Sequence, residues 1–213
     1  MGIRRGHQAG GRISARLARP RLARPRLLLL APLLAAVALA GNAPPVFSYA
    51  VDSAASTVSA KVGFLGLGSK TAGFPDVSGT VRLTPDRPDR IDLDVTLDAR
   101  ALTAPDKVTL GRLRGEKFFW VERYPTVRFA GDRLALTTDR KGTIEGELTA
   151  RGVTRPVSLA VTFDKPPMTA GRGEAITLTG TTTIDRRKFG MTAYSLVVGR
   201  QVNITLKARI VPD

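Results

Sequence analysis

Val77-Ser78-Gly79-Thr80-Val81-Arg82-Leu83, then a turn holding Pro85-Asp86-Arg87-Pro88, then Ile91-Asp92-Leu93-Asp94-Val95-Thr96-Leu97 is the stretch that decides the fold. In each half, every second residue is apolar or glycine and the residues between are polar or charged. That is the period of a strand with one buried face. A parallel return needs a crossover of about a dozen residues or more, so a link this short makes the two strands antiparallel.

The same alternation recurs outward from this pair. It precedes it at 58–64, with a short lead-in at Phe47, Tyr49 and Val51, and follows it through 127–129 and 134–136, then 144–148, 157–163, 176–184 and 202–210. Turn-forming residues separate the segments: Gly131-Asp132, Asp139-Arg140-Lys141-Gly142, Arg151-Gly152 and Pro166-Pro167. The chain therefore reads as all-β, an antiparallel meander of eight strands that can close into a barrel or fold over as a sandwich. One interruption falls between Arg100 and Pro125. Pro105 suits a helix start, Lys107–Arg114 predicts a helix stopped by Gly115, and 116–121 a second short helical piece. Its consecutive aromatics, Phe118-Phe119-Trp120, need an apolar surface to cover; on a barrel they would plug or lid one end.

Composition excludes several chemistries. There is no cysteine, and His7 is the single histidine, which removes disulfide scaffolds, thiolate metal sites, cysteine nucleophiles and histidine-based triads. No G-x-S-x-G or S-x-x-K motif occurs, and no close carboxylate pair falls in an irregular segment, so the chain is not expected to be an enzyme. Asp92, Asp94 and Asp98 share a strand face but lack the glycine-punctuated loop of a calcium site, so no metal or other cofactor is expected. Of the net charge of +15, eight arginines and no acids lie in residues 1–40, leaving 25 bases against 18 acids in the remainder. Such a mixed surface does not track phosphates, and nucleic acid is not an expected partner.

Residues 1–40 predict a signal peptide: a basic stretch ending at Arg26, a fourteen-residue apolar run over 27–40 interrupted by Pro32, and the exit Ala38-Leu39-Ala40. The run is short of the roughly 20 residues of a spanning helix. Cleavage is expected near Ala40, leaving residues 41–213 as a periplasmic or secreted domain without His or Cys. The strands do not suit an outer-membrane barrel. Their polar faces carry Lys61, Arg82, Arg128, Glu145, Glu147, Lys207 and Arg209, and one Trp with three Tyr cannot build aromatic girdles. The apolar faces should point inward.

On those inward faces, Gly79, Gly146 and Gly180, with Ala60, Ala150 and Ala208, stand in register with large residues. An eight-stranded barrel either fills with side chains or holds one small ligand, and small inward residues leave room. Glycines equally mark places where strands coil sharply. The alternation leaves both readings open.

Several blocks in order resemble the YceI-like family, the polyisoprenoid-binding, lipocalin-like secreted bacterial proteins. They are Phe47-Ser48-Tyr49-Ala50-Val51-Asp52, Val77-Ser78-Gly79-Thr80-Val81, Leu113-Arg114-Gly115-Glu116-Lys117-Phe118-Phe119 and Tyr124-Pro125-Thr126-Val127-Arg128-Phe129. The 146–157 block, GELTARGVTRPV, and Ile184-Asp185-Arg186-Arg187-Lys188-Phe189-Gly190-Met191 complete the series. The resemblance covers about 47–213. It implies an eight-stranded antiparallel lipocalin-like barrel with a short helical insertion, whose channel takes an isoprenoid such as a quinone tail or prenyl phosphate. The family often has histidines near positions held here by Ala55, Gly63 and Arg112, so no role of those histidines carries over.

The resulting expectation is an exported carrier or binding protein for an isoprenoid lipid or quinone. Its lumen would be lined by Phe64, Phe74, Leu97, Phe118, Phe119, Phe129, Phe163, Phe189 and Met191, with Phe118, Phe119 and Met191 the foremost candidates. Arg186-Arg187-Lys188 and Arg112 with Arg114 are candidates for a phosphate head group if they border a mouth. Transient membrane contact and a homodimer are both compatible with the sequence. The alternative is a structural or adhesion barrel acting through its rim, without a small-molecule ligand.

Overall fold

The structure, a computed structural model, is described over residues 45–66, 68–170 and 173–213; the segment read as a signal peptide lies outside the described residues. Ten strands form one antiparallel sheet: β1 (Phe47–Val51), β2 (Thr57–Phe64), β3 (Gly68–Phe74), β4 (Val77–Leu83), β5 (Arg90–Asp98), β6 (Thr126–Leu136), β7 (Lys141–Ala150), β8 (Val153–Phe163), β9 (Ile176–Asp185) and β10 (Val198–Pro212). Eight of them, β1 and β4 through β10, run round in sequence order. The pairing of β1 with β10, Tyr49 opposite Pro212 and Val51 opposite Ile210, shuts the ring. The molecule is a closed barrel and not a sandwich.

β10 is the longest strand, and its length makes the closure. Along one edge it pairs with β9 from Gln201 to Ile210; along the other it pairs first with β2 and then with β1. β1 and β2 are two parts of one line of chain broken by a 3-10 turn at Ser53–Ala55, capped by the Asp52 carboxylate. The β2–β3 hairpin extends the wall at one end, and the alternation did not reveal β3. In Gly68-Ser69-Lys70-Thr71-Ala72-Gly73-Phe74 only Ala72 and Phe74 mark a buried face.

The strand directions separate two ends. The turn end carries the short links 84–89 and 137–140 and the loop 164–175. The helix end carries the 99–125 insertion, the β7–β8 turn, the segment 186–197 and the tip of the β2–β3 hairpin. Helix α1 (Lys107–Arg114) falls where the sequence places it. Asp106 caps it by accepting from the Thr109 amide at 2.8 Å, and Gly115 ends it. Residues 116–121 differ from expectation and form turns instead of a second helical piece. Trp120 adopts a left-handed backbone (φ 49°), and the amides of Phe118 and Trp120 both donate to the Gly115 carbonyl, which a continuing helix forbids.

The inward row is apolar and the charged residues named above stand on the outward row. No helix among the described residues is long and apolar enough to cross a membrane. The core, however, is divided. One buried cluster sits at the turn end, with Tyr49, Leu83, Ile91, Leu134 and Ile176 among its members; a second sits at the helix end, with Phe74, Leu102, Leu148, Phe189 and Met191. Between them the inward side chains of Leu93, Val95, Phe129, Leu178, Ile204 and Leu206 are only half-buried. A barrel packed throughout would bury its midsection most deeply. This one is plugged at both ends and open in the middle.

The inward glycines divide by cause. A Cβ on Gly79 would lie 2.3 Å from the Asp94 carbonyl oxygen, and one on Gly146 2.3 Å from that of Ala130, so these two mark close strand approach in a tightly coiled wall. A Cβ on Gly180 would instead meet the Leu206 side chain at 2.9 Å and that of Leu159 at 3.2 Å, toward the interior. Gly146→Ala is expected to destabilise the barrel by about 2–3 kcal/mol, because backbone must move to admit the methyl group. Gly63→Ala, with nothing within 4 Å of the added Cβ, should change stability by less than about 0.5 kcal/mol. Equal denaturant midpoints for the two variants would contradict this account of the coiling.

Candidate functional site

The open midsection is a cavity of about 180 Å³. That is comparable with engineered apolar cavities of ~150 Å³ that stay dry and take up benzene or xenon. Val95 on β5, Phe129 on β6, Val157 on β8, Leu178 on β9, and Ile204 and Leu206 on β10 form its girdle. Each comes from the inward row of its strand, so the period-2 pattern is what brings them together. Ala60, Ala150 and Ala208 also stand on the wall, where their small side chains leave the space open.

Of the residues expected to line a lumen, Phe74, Leu97, Phe119, Phe129, Phe163 and Met191 are on the cavity wall. Phe74 and Phe119 meet edge to face with centroids 5.6 Å apart, joining the insertion to the barrel. Phe64, Phe118 and Phe189 are not on the wall. Phe64 ends β2 near the hairpin tip, where the Lys70 ammonium lies 5.9 Å from its ring. Phe118 is buried inside the plug, stacked on Tyr194 at 6.0 Å, and Phe189 is fully packed in the helix-end cluster. All three lie in or beside irregular chain, where alternation does not set direction.

Two arginines hold the helix-end plug, and both do so through carbonyl oxygens. Arg186, 3% exposed, donates from Nε to Gly199 at 2.8 Å, from Nη2 to Val198 at 2.8 Å, and from Nη1 to Ala193 at 2.9 Å and to Met191. Phe118 lies against its guanidinium at 5.9 Å. Burial pushes the Arg186 pKa down, although a guanidinium so placed stays charged. Arg151, left-handed in the tight β7–β8 turn with Gly152, donates to the carbonyls of Gly190 and Glu116 and so ties the 186–197 segment to the insertion. The sequence pointed to Arg186 as a surface cation for a head group. The structure instead buries it on the cavity wall as the organiser of the segment before β10. Arg187 and Lys188 are exposed, and Arg187 is paired with Asp185 at 2.7 Å, which holds that carboxyl down at about 2. Arg112 and Arg114 are exposed on α1.

The aspartates of β5 are each matched to an arginine: Asp92 to Arg82 at 3.2 Å, Asp94 to Arg128 at 2.6 Å and Asp98 to Arg100 at 2.7 Å. The Arg128 guanidinium lowers the Asp94 pKa, and that of Arg100 holds Asp98 at about 2. These carboxylates form the ion-paired outer face of the sheet.

The profile of the YceI-like domain matches residues 49–210. The chain belongs to the YceI-like family. A UPF0312 protein of Pseudomonas putida is 26% identical over 131 residues, covering 62% of this chain and 68% of its own. One of Ectopseudomonas mendocina is 27% identical over 165 residues, covering 76% and 86%. Among solved structures, Burkholderia cenocepacia BcnA superposes with a TM-score of 0.66 at 24% identity, over 75% of this chain and 98% of its own. A polyisoprenoid binding domain from Saccharophagus degradans, implicated in plant cell wall breakdown, superposes with a TM-score of 0.62 at 13% identity, over 78% and 99%. At these identities the structures share the fold. Within this YceI-like barrel, Ser56, Thr182 and Arg186 are the inward polar members of the cavity lining, and no carboxylate stands among the lining residues.

Proposed function

We propose that this YceI-like barrel is an exported binding protein, not an enzyme, and that it holds the apolar tail of an isoprenoid lipid, a quinone or a prenyl phosphate, in its lumen. The observation that carries the reading is the divided core, with half-buried apolar side chains between two plugged ends. An unfilled apolar void weakens a fold roughly in proportion to its volume, and a hydrocarbon occupant recovers that loss. Each CH₂ taken from water contributes about 0.8 kcal/mol, so a few prenyl units supply ample affinity. The structural neighbour named for polyisoprenoid binding supports this class of occupant.

Arg186 gives the lumen one polar pole. Its guanidinium has five N–H groups, and the four hydrogen bonds to carbonyls leave one on Nη2 for an oxygen acceptor. The test is native mass spectrometry with organic extraction of the exported protein purified without detergent. A co-purifying prenyl lipid near one per chain is the expected result, and the head group in the extract separates quinone from phosphate. Protein that is empty and fails to take up prenyl lipid from added extract would overturn the reading in favour of a barrel acting through its rim.

A further inference from the structure

We infer that the helix end of the barrel is a docking face for an anionic lipid bilayer. Four large hydrophobic residues stand exposed there: Leu196 at 98%, Val108 at 64%, Leu65 at 57% and Tyr194 at 41%. Leu65 and Leu196 belong to adjoining tips, since the Leu65 amide donates to the Val197 carbonyl at 2.7 Å. Leu65 and Tyr194 both hold left-handed backbone, at φ 55° and 54°. Glycine or asparagine would adopt that conformation at less cost than a bulky side chain; the stack of Tyr194 on Phe118 offsets that cost there, but local stability does not account for the exposed Leu65.

Charge complementarity selects the partner. Residues 106–117 and 185–200 together contain eight bases, seven of them exposed and Arg186 buried, and three acids. Two of those acids, Asp106 and Asp185, are already paired with Lys70 and Arg187. The loops of the opposite end, 84–89, 137–140 and 164–175, contain four bases and five acids. Arg112 and Lys117, both exposed, stand 5.5 Å from the Tyr194 ring, which sets cations directly beside the apolar tips. Apolar tips that enter the acyl boundary, ringed by cations at head-group depth, are the arrangement of a peripheral membrane protein on an anionic surface. A protein partner would be matched by shape and by pairs of both signs, and this end presents a cationic excess around protruding tips.

The inference adds to the proposed function and does not rest on it, because docking is expected of protein with an empty lumen as well. The test is co-sedimentation of delipidated protein with phosphatidylcholine vesicles containing 30% phosphatidylglycerol, at low salt and with added 0.5 M NaCl. Wild-type protein should bind these vesicles, bind pure phosphatidylcholine vesicles more weakly, and be released by salt. The double variant Leu65→Asp, Leu196→Asp should lose about tenfold or more in partitioning. Its circular dichroism and prenyl-lipid content should be unchanged, because both side chains are outside the core. Arg112→Glu with Lys117→Glu should abolish the preference for phosphatidylglycerol. Absence of wild-type binding, or equal binding by the leucine variant, would overturn the inference. So would a wild-type dimer that the leucine variant dissolves without any change in vesicle binding.

Discussion

Arg186→Met is expected to destabilise the folded barrel by about 3–5 kcal/mol, a fall of roughly 10 °C in thermal midpoint for a domain of this size. Methionine fills much of the same volume but donates nothing, so the carbonyls of Met191, Ala193, Val198 and Gly199 lose a charged donor at once. Arg186→Lys should recover only part of the loss, because a single ammonium cannot reach carbonyls spread along nine residues as a planar guanidinium does. Hydrogen exchange should show the damage concentrated in 190–199, with the turn-end cluster protected nearly as in the wild type. A methionine variant within about 1 kcal/mol of wild type would mean that these bonds merely replace ones that water makes equally well.

The second large effect concerns occupancy of the lumen. Ala208→Phe places a benzyl group in a cavity of about 180 Å³, and bound prenyl lipid should fall by tenfold or more. Stability should hold or rise, since an apolar side chain then fills the void. Phe119→Asp tests polarity in place of volume. It removes an aromatic that packs on Phe74 at 5.6 Å and sets a carboxylate beside an apolar chain, so lipid should again be lost while the β-sheet signal in circular dichroism remains. Loss in both variants fits an apolar guest in the midsection. Wild-type lipid content in both would place any co-purifying lipid elsewhere on the protein.

How much of this was legible in the sequence follows from where alternation operates. Between β4 and β10 most inward positions are apolar or glycine, so order, direction and inward face could be read directly, although Gly131-Asp132, expected as a turn, lies within β6 at a register shift. Leu97, Phe129 and Phe163 reach the cavity wall on that account. Phe64, Phe118 and Phe189 leave regular chain at a hairpin tip, a plug and a 3-10 turn, where no period fixes orientation. Glycines in register with large residues could not disclose their cause, because close strand approach at Gly146 and inward crowding by Leu206 and Leu159 at Gly180 write the same letter. The burial of Arg186 was hidden for another reason. Its partners are main-chain carbonyls five to thirteen residues away, and a carbonyl has no signature in the sequence.

The seam of the barrel carries a consequence for how the chain acquires its shape. Of the ten described strands, β1 is made first and β10 last, yet they lie side by side. Until residues 198–212 are present, β9 on one flank and β1 with β2 on the other are raw edges with unpaired amides and carbonyls. β4 through β9 pair with one another in sequence order, but the cylinder itself is closed in one late, long-range event. A nascent or clipped chain that stops short of β10 is thus a curved sheet with sticky margins, and self-association of such fragments is built into the topology.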